Sequence, residues 1–256
     1  MPLTRHDLTG CIQTVTGLIQ PHELGPTLMH EHLLWDIRTP AMQADPDQGP
    51  PLCPCTYFDI NYGSVKSPNN LVFSDRKLAV EEVAAMKADG GAAIVELSVG
   101  GLKPDPEGLA EISEATGVAI VMGCGHYVDE YQDPANRGRS ADGFAAEMIG
   151  QLTDGAWGTT VRAGIIGEIG CQSPWTDLEK TVMEGAITAM AETGAALNVH
   201  PGRDQNQPQE VAEFVAARGG DLSRVVLSHI DRTIADQDTL FRLADTGSVI
   251  EFDLFG

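Results

Sequence analysis

The chain has 256 residues, with 37 Asp and Glu against 16 Lys and Arg, for a formal net charge of −21 at pH 7. Such acidity argues against nucleic acid and anionic membranes as partners, because both are gripped by clustered Lys and Arg. No stretch approaches the roughly 20 unbroken apolar residues of a membrane helix, and with 42% apolar and 21% charged residues the composition is that of a globular protein, whose length suits two small domains or one closed barrel.

The N-terminus, Met1-Pro2-Leu3-Thr4-Arg5-His6-Asp7, lacks the apolar run and small-residue cleavage site of a secretory leader. The cysteines (Cys11, Cys53, Cys55, Cys124 and Cys171) are odd in number and scattered, so they make no disulfide framework. Both features suit a cytoplasmic protein with reduced thiols. Cys53-Pro54-Cys55 reads as two loop thiols rather than a metal clip.

In chain order, residues 10–20 alternate Ile12, Thr14, Val15 and Leu18 around Gly17 and read as a small hairpin. A first apolar run covers residues 27–30. From Trp35 to Ser74 the chain is rich in Pro, Asn, Asp and Gln with little periodicity, which predicts a long functional or mobile loop. Ala79, Val80, Val83, Ala84 and Met86 then recur at helical spacing before Gly90-Gly91. Further apolar runs at 92–97, 118–124, 162–169, 195–200, 224–229 and 248–252 are separated by helical stripes. These stripes carry Phe144, Met148, Ile149 and Leu152, then Thr176 and Glu179 as a capping box, then Val211, Phe214 and Val215, and last Leu240, Phe241 and Leu243.

The runs are continuously apolar, which predicts strands buried on both faces of a parallel sheet. No linker divides residues 1–256, so one domain is expected. A barrel of this kind closes with eight strands, and the sequence stops just beyond the seventh run. The expectation is therefore a (β/α)8 TIM barrel truncated at its C-terminus, without its eighth β/α unit. An open doubly wound sheet is the alternative, although no G-x-G-x-x-G follows the first run.

Nearly every run ends in a polar residue: His30 and His32, Glu96, Cys124 before His126 and Tyr127, Glu168, His200, His229, and Asp253. In a barrel these ends meet at one mouth; in an open sheet they lie in a row. His30 and His32 share one face of a strand, with Glu31 opposite. Four imidazoles and a carboxylate make a ligand set for zinc-like divalent ions. Glu168 lies in the apolar segment Ala163-Gly164-Ile165-Ile166-Gly167-Glu168-Ile169-Gly170, where a carboxylate is costly unless paired or metal-bound. Its two oxygens can bridge two cations; the plainer alternative is an ion pair with Arg162. His6, His22 and His126 read as surface or supporting residues.

These motifs in this order resemble the phosphotriesterase family of the amidohydrolase superfamily. They are Gly25-Pro26-Thr27-Leu28-Met29-His30-Glu31-His32, the Glu168 segment, Asn198-Val199-His200, Ser228-His229-Ile230-Asp231-Arg232-Thr233 and Glu251-Phe252-Asp253. The resemblance runs from about residue 11 to the last residue and looks closest to the phosphotriesterase-related, resiniferatoxin-binding-like branch. It implies a binuclear centre, with His30 and His32 on one ion and His200 and His229 on the other. The carboxylated lysine that bridges the ions in the triesterases and lactonases is impossible here, because no lysine lies between Lys103 and Lys180; Glu168 would take its place. The family's last ligand, an Asp ending the eighth strand, has no counterpart in this sequence.

The resemblance implies a hydrolase with two divalent metal ions, Zn first and Mn, Fe or Co as alternatives. A shared water made acidic by the ions would give the hydroxide that attacks an ester, lactone, amide or phosphoester bond. With Glu in place of lysine, carboxylic ester, lactone or amide bonds are favoured over organophosphates. Tyr127 matches a substrate-placing tyrosine of the family's lactonases. Arg203 and Arg232, each three residues past a histidine, are candidates to bind a small anionic substrate. Asp231 and Asp253 are candidates to orient the histidines. A homodimer is compatible with the family. The alternative function is a non-catalytic barrel, a binding protein or pseudoenzyme lacking the eighth-strand Asp.

Overall fold

Aliphatic and β-branched runs become strands here because both of their faces can be buried at once. The computed structural model describes residues 2–254 apart from 46 and 48. A one-turn helix α1 (Arg5–Leu8) leads into the expected antiparallel hairpin, β1 (Ile12–Thr14) with β2 (Gly17–Ile19). The hairpin lies against the N-terminal end of the main sheet, where Val15 N–H donates to Ile120 O at 2.9 Å. A Cβ on Gly164 would stand 2.1 Å from Gln13 O, so only glycine fits under the hairpin.

The main sheet begins with β3 (Thr27–Glu31). The segment expected to be an irregular loop is better ordered than predicted. It holds β4 (Trp35–Asp36) paired antiparallel with β5 (Val72–Phe73), and between them the short helices α2 (Pro40–Ala44) and α3 (Tyr57–Asn61). Its local pairing comes from segments too short to show a period. Cys53 and Cys55 form a disulfide there, which corrects the reading of two free thiols; their Cα atoms are 5.2 Å apart, within the span a disulfide bridges.

After β5 the alternation is regular: α4 (Arg76–Ala88), β6 (Ala93–Glu96), α5 (Pro106–Thr116), β7 (Ala119–Cys124), α6 (Ala141–Thr153), β8 (Ile165–Gly170), α7 (Asp177–Thr193), β9 (Leu197–His200), α8 (Gln207–Ala217), β10 (Val225–Leu227), α9 (Ile230–Thr233), α10 (Gln237–Ala244) and β11 (Val249–Ile250). Short polar side chains cap these helices, as Asp75, Ser140 and Asp236 do for α4, α6 and α10. The Thr176–Glu179 capping box forms, and α7 stops at Gly194 in the left-handed region. Helix α5 had no stripe to announce it, yet its punctuation is in the sequence: Asp105 caps it, Pro106 opens it and Gly117 closes it.

The parallel sheet runs in the order β11-β10-β9-β8-β7-β6-β3. Ile94, Ile120, Met122 and Ile166 face outward into the core shared with Phe144, Met148 and Met183 of the helices, while Val95, Val121 and Ile165 face inward. The two outermost strands depart from the expected two-sided burial. Leu28 and Met29 on β3 are 43% and 48% exposed and Val249 on β11 is 48% exposed, because each has a strand on one side only. The sheet curls nonetheless, bringing His30 Nδ1 at the end of β3 within 3.0 Å of Asp253 Oδ2 beyond β11. That contact spans the outermost strands and rules out an open sheet with its ends in a row. Among the described residues no helix is long and apolar enough to cross a membrane.

Candidate metal centre

The mouth of the curled sheet is built at the C-terminal ends of its strands. On β8, strict alternation from inward-facing Ile165 would turn residue 168 outward. The pairing with β9 shifts between Ile166 and Ile169, and both of those side chains face outward. This bulge re-aims Glu168 into the mouth. Gly167 permits it, since a Cβ there would meet Asn198 O at 2.1 Å. Glu168 is 1% exposed and reaches three imidazoles, with Oε2 2.6 Å from His30 Nε2 and 3.5 Å from His229 Nε2, and Oε1 3.0 Å from His200 Nδ1. The alternative partner, Arg162, turns away and donates to Thr153 O.

Ligand atoms of His30, His32 and Glu168 lie within 4.8 Å of one another, as do those of Glu168, His200 and His229, and those of His30, His229 and Asp253. Glu168 thus belongs to two groups. The donor set fits divalent cations on an observation of its own. His30 Nδ1 and Nε2, Glu168 Oε2 and Asp253 Oδ2 are buried at close range, yet none is aligned for a hydrogen bond. Buried lone pairs without partners are costly, and a shared cation satisfies several at once.

The field points the same way. Burial disfavours the charged form of His30, but Asp253, Glu168 and Glu251 outweigh it and push the ring up to about 12. Burial would raise Glu168, but His200, His229 and His30 hold it well below the usual carboxylate range. His32 is pushed down to about 4 by burial and so stays neutral, as a ligand must. Carboxylates and neutral imidazoles focused on one point attract a dication at least as strongly as a proton.

His229, between β10 and α9, has φ +58, a conformation that costs a non-glycine residue energy and is held by its surroundings. Asp253 supplies that hold: its Oδ1 accepts from His229 N–H at 3.1 Å and sits 2.8 Å from His229 Nδ1. With Nδ1 protonated toward the carboxylate, Nε2 keeps its lone pair for the mouth. Asp231 does not share this role. Its Oδ2 accepts from Leu254 N–H, tying down the chain beyond β11 rather than an imidazole.

At the rim, Tyr127 Oη lies 3.4 Å from both ring nitrogens of His200, and Arg232 Nη2 lies 3.0 Å from His200 Nε2. Arg232 is half-buried and Arg203 is exposed beside it. Burial and the charge of Arg203 both push the Arg232 guanidinium down. Neither arginine has a carboxylate at ion-pair distance among the described residues, and Arg232 Nε has no hydrogen-bond partner. His126, read from the sequence as a surface or supporting residue, is 8% exposed and held between Asn136 Nδ2 at 3.2 Å and Glu147 Oε2 at 3.3 Å.

Several polar residues of the mouth had no role assigned from sequence. Glu251 Oε2 accepts from Ser228 Oγ at 2.6 Å and from Asn198 Nδ2 at 3.2 Å, and lies 3.5 Å from His30 Nδ1. Its signal was legible, two residues before Asp253, the spacing that sends side chains of an extended segment to one side. Glu96, fully buried, accepts from Leu33 N–H at 3.1 Å and Ser98 N–H at 3.2 Å. Burial pushes it up to about 7 against those bonds.

Known proteins resemble this chain over most of its length. The profile of the phosphotriesterase family matches residues 10–256. A phosphotriesterase-related protein of Nematostella vectensis is 38% identical, the match covering 97% of this chain and 73% of that protein. An N-acetyltaurine hydrolase of Xenopus tropicalis is 37% identical over the same shares, 97% and 73%. The crystal structure of a resiniferatoxin-binding protein from Rhodobacter sphaeroides superposes with a TM-score of 0.88 at 34% identity, covering 97% of this chain and 71% of the other. The extent of these matches, and the histidines and carboxylates gathered at one barrel mouth, lead to one conclusion: the chain belongs to the phosphotriesterase family.

Proposed function

We propose that this protein is a metal-dependent hydrolase that cleaves the amide or carboxylic ester bond of a small substrate bearing an anionic group. The observation that carries the reading is the placement of Glu168, buried, with one oxygen on His30 and the other on His200. His30 and His32 would hold one divalent cation, His200 and His229 a second, and Glu168 both. When bound, the cations lower the pKa of a water and polarise the scissile carbonyl. Zinc suits the imidazole and carboxylate set, and Mn, Fe and Co suit it as well. Asp253 keeps Nε2 of His229 free to ligate.

Arg232 binds the anionic end of the substrate. A guanidinium only donates, so its contact with His200 requires the Nε2 lone pair. Were His200 to hold a cation through Nδ1, its proton would sit on Nε2, that contact would be lost and Arg232 would be free for the substrate. Tyr127, which lies against the same His200 ring, would donate its hydroxyl to the substrate; burial and Glu168 raise its pKa, so it stays protonated. The relatives named N-acetyltaurine hydrolase support an amide with an anionic tail. The test is metal reconstitution followed by a screen of N-acyl amino acids and N-acyl amino sulfonates beside lactones, neutral esters and phosphotriesters. About two ions per chain by mass spectrometry and turnover of the anionic amides are expected. A protein that binds no metal, or that prefers phosphotriesters, refutes the reading.

A further inference from the structure

The loop between β7 and α6 carries Tyr127 to the mouth, and behind it lie three buried polar side chains outside the proposed site: His126, Gln132 and Asn136. Chemistry fixes the direction of every hydrogen bond among them. Arg139 only donates, and its Nη1 gives a hydrogen to Asn136 Oδ1 at 2.8 Å. Asn136 therefore turns Nδ2 toward Gln132 Oε1 at 3.0 Å and His126 Nδ1 at 3.2 Å. At the far end the Tyr127 carbonyl only accepts, from Gln132 Nε2 at 2.6 Å. An amide nitrogen cannot accept, so His126 Nδ1 carries no hydrogen. The ring's hydrogen sits on Nε2, facing Glu147 Oε2 at 3.3 Å, and Glu147 is paired in turn with Arg139.

We propose that His126, Asn136 and Gln132 are positioning residues that lock the backbone of Tyr127 and so hold its hydroxyl beside His200 for the substrate. Tyr127 N–H donates to Gly100 O at 2.8 Å and Gly170 N–H to His126 O at 3.2 Å. With its own carbonyl held by Gln132, the peptide of Tyr127 is fixed on both sides. Its ring then stands 5.0 Å from that of His200, edge to face. Ordering this loop in advance spares the substrate the cost of doing so. The inference rests on the role proposed for Tyr127.

The test begins with metal-free protein. Long-range 15N–1H correlation spectra at alkaline pH, with His126 assigned by comparison with H126Q, should show the Nε2–H tautomer; the Nδ1–H tautomer overturns the proposal. In Asn136→Asp a carboxylate faces both Nδ1 and Gln132 Oε1, so Nδ1 should gain a hydrogen and Gln132 should turn away from Tyr127. The chain has four tyrosines, and 3-fluorotyrosine labelling reads each by 19F NMR. N136D and Gln132→Ala should shift the Tyr127 signal, assigned with Y127F, and leave those of Tyr57 and Tyr62 in place; an unmoved Tyr127 signal overturns the lock. On any substrate the enzyme turns over, N136D and Y127F should each lower kcat/KM by about 5–10-fold, the worth of one neutral hydrogen bond. Combined, they should lose no more than either alone. Losses that add would show a merely structural network. Should N136D fail to fold, the wild-type tautomer and Q132A decide the question. If no substrate is hydrolysed the hydrolase reading fails, whereas the tautomer and fluorine signals are measured without substrate or metal.

Discussion

Removing the Arg232 guanidinium should strip the enzyme of its preference for anionic substrates. In a chain with a net charge of −21, a half-buried arginine beside a second arginine, with no carboxylate at ion-pair distance among the described residues, suits the proposed role of binding an external anion. A hydrogen bond to a charged group contributes about 1.5–3 kcal/mol. Because Arg232 is only half-buried, the lower part of that range applies, about 1.5–2 kcal/mol, or roughly 10–30-fold. Arg232→Ala should therefore lower the ratio of kcat/KM for an N-acyl amino sulfonate over that for its neutral sulfonamide isostere by about 10–30-fold. Arg232→Lys should restore part of the ratio, since a point charge replaces a planar fork. Stability should change by no more than about 0.5 kcal/mol, because the guanidinium has no acid partner to lose. Equal losses on both substrates would show that Arg232 acts on the scissile group or on His200, and would refute the assignment.

Other perturbations follow from the same geometry. Burial tends to raise Asp36, but Arg38 and Lys103 pull it from its ordinary 3.8 to about 2, so its contribution of about 2 kcal/mol is complete above pH 4 and lost as pH falls through 2. Urea unfolding of Asp36→Asn should show that deficit at pH 7 and almost none near pH 2; a deficit independent of pH would exclude the ion pair as its cause. Glu179, fully buried, accepts from the N–H groups of Asp129, Gln172 and Thr176 at 3.0, 3.0 and 3.1 Å. Glu179→Ala orphans all of them and should destabilise by about 3 kcal/mol in chemical denaturation, with a loss below about 1 kcal/mol contradicting the staple it forms between loops. Chelation should abolish hydrolysis and lower Tm together, both restored by zinc, since ligand at 100 times Kd stabilises by about 2.7 kcal/mol; activity that survives complete metal removal would end the metal-dependent reading.

Much of this architecture was legible before any coordinate. Apolar runs at 92–97, 118–124 and 195–200 became β6, β7 and β9, because a strand buried on both faces leaves no position for a charge except its end. The polar ends then marked the mouth, and His30, His32, Glu168, His200 and His229 meet there. Less was legible where the determinant was not periodic. The pairing of β4 with β5 involves two residues on each side, and the Cys53–Cys55 disulfide depends on how one turn bends. Neither leaves a repeating signature. Asp231 and Asp253 looked alike in sequence, each near a histidine, yet one ties a backbone and the other an imidazole.

Chain order and residue chemistry alone determined the barrel class, the polarity of the strand ends and the donor types of the centre, since each depends on local pattern and on side-chain functional groups. Tertiary structure decided which oxygen of Glu168 meets which ring, that a bulge turns this carboxylate inward, and that Glu96, Ser98 and Glu251 stand behind the histidines. Those are relations between segments far apart in sequence, set by sheet curl and register at the scale of a hydrogen bond, and no local pattern encodes a distance of that size.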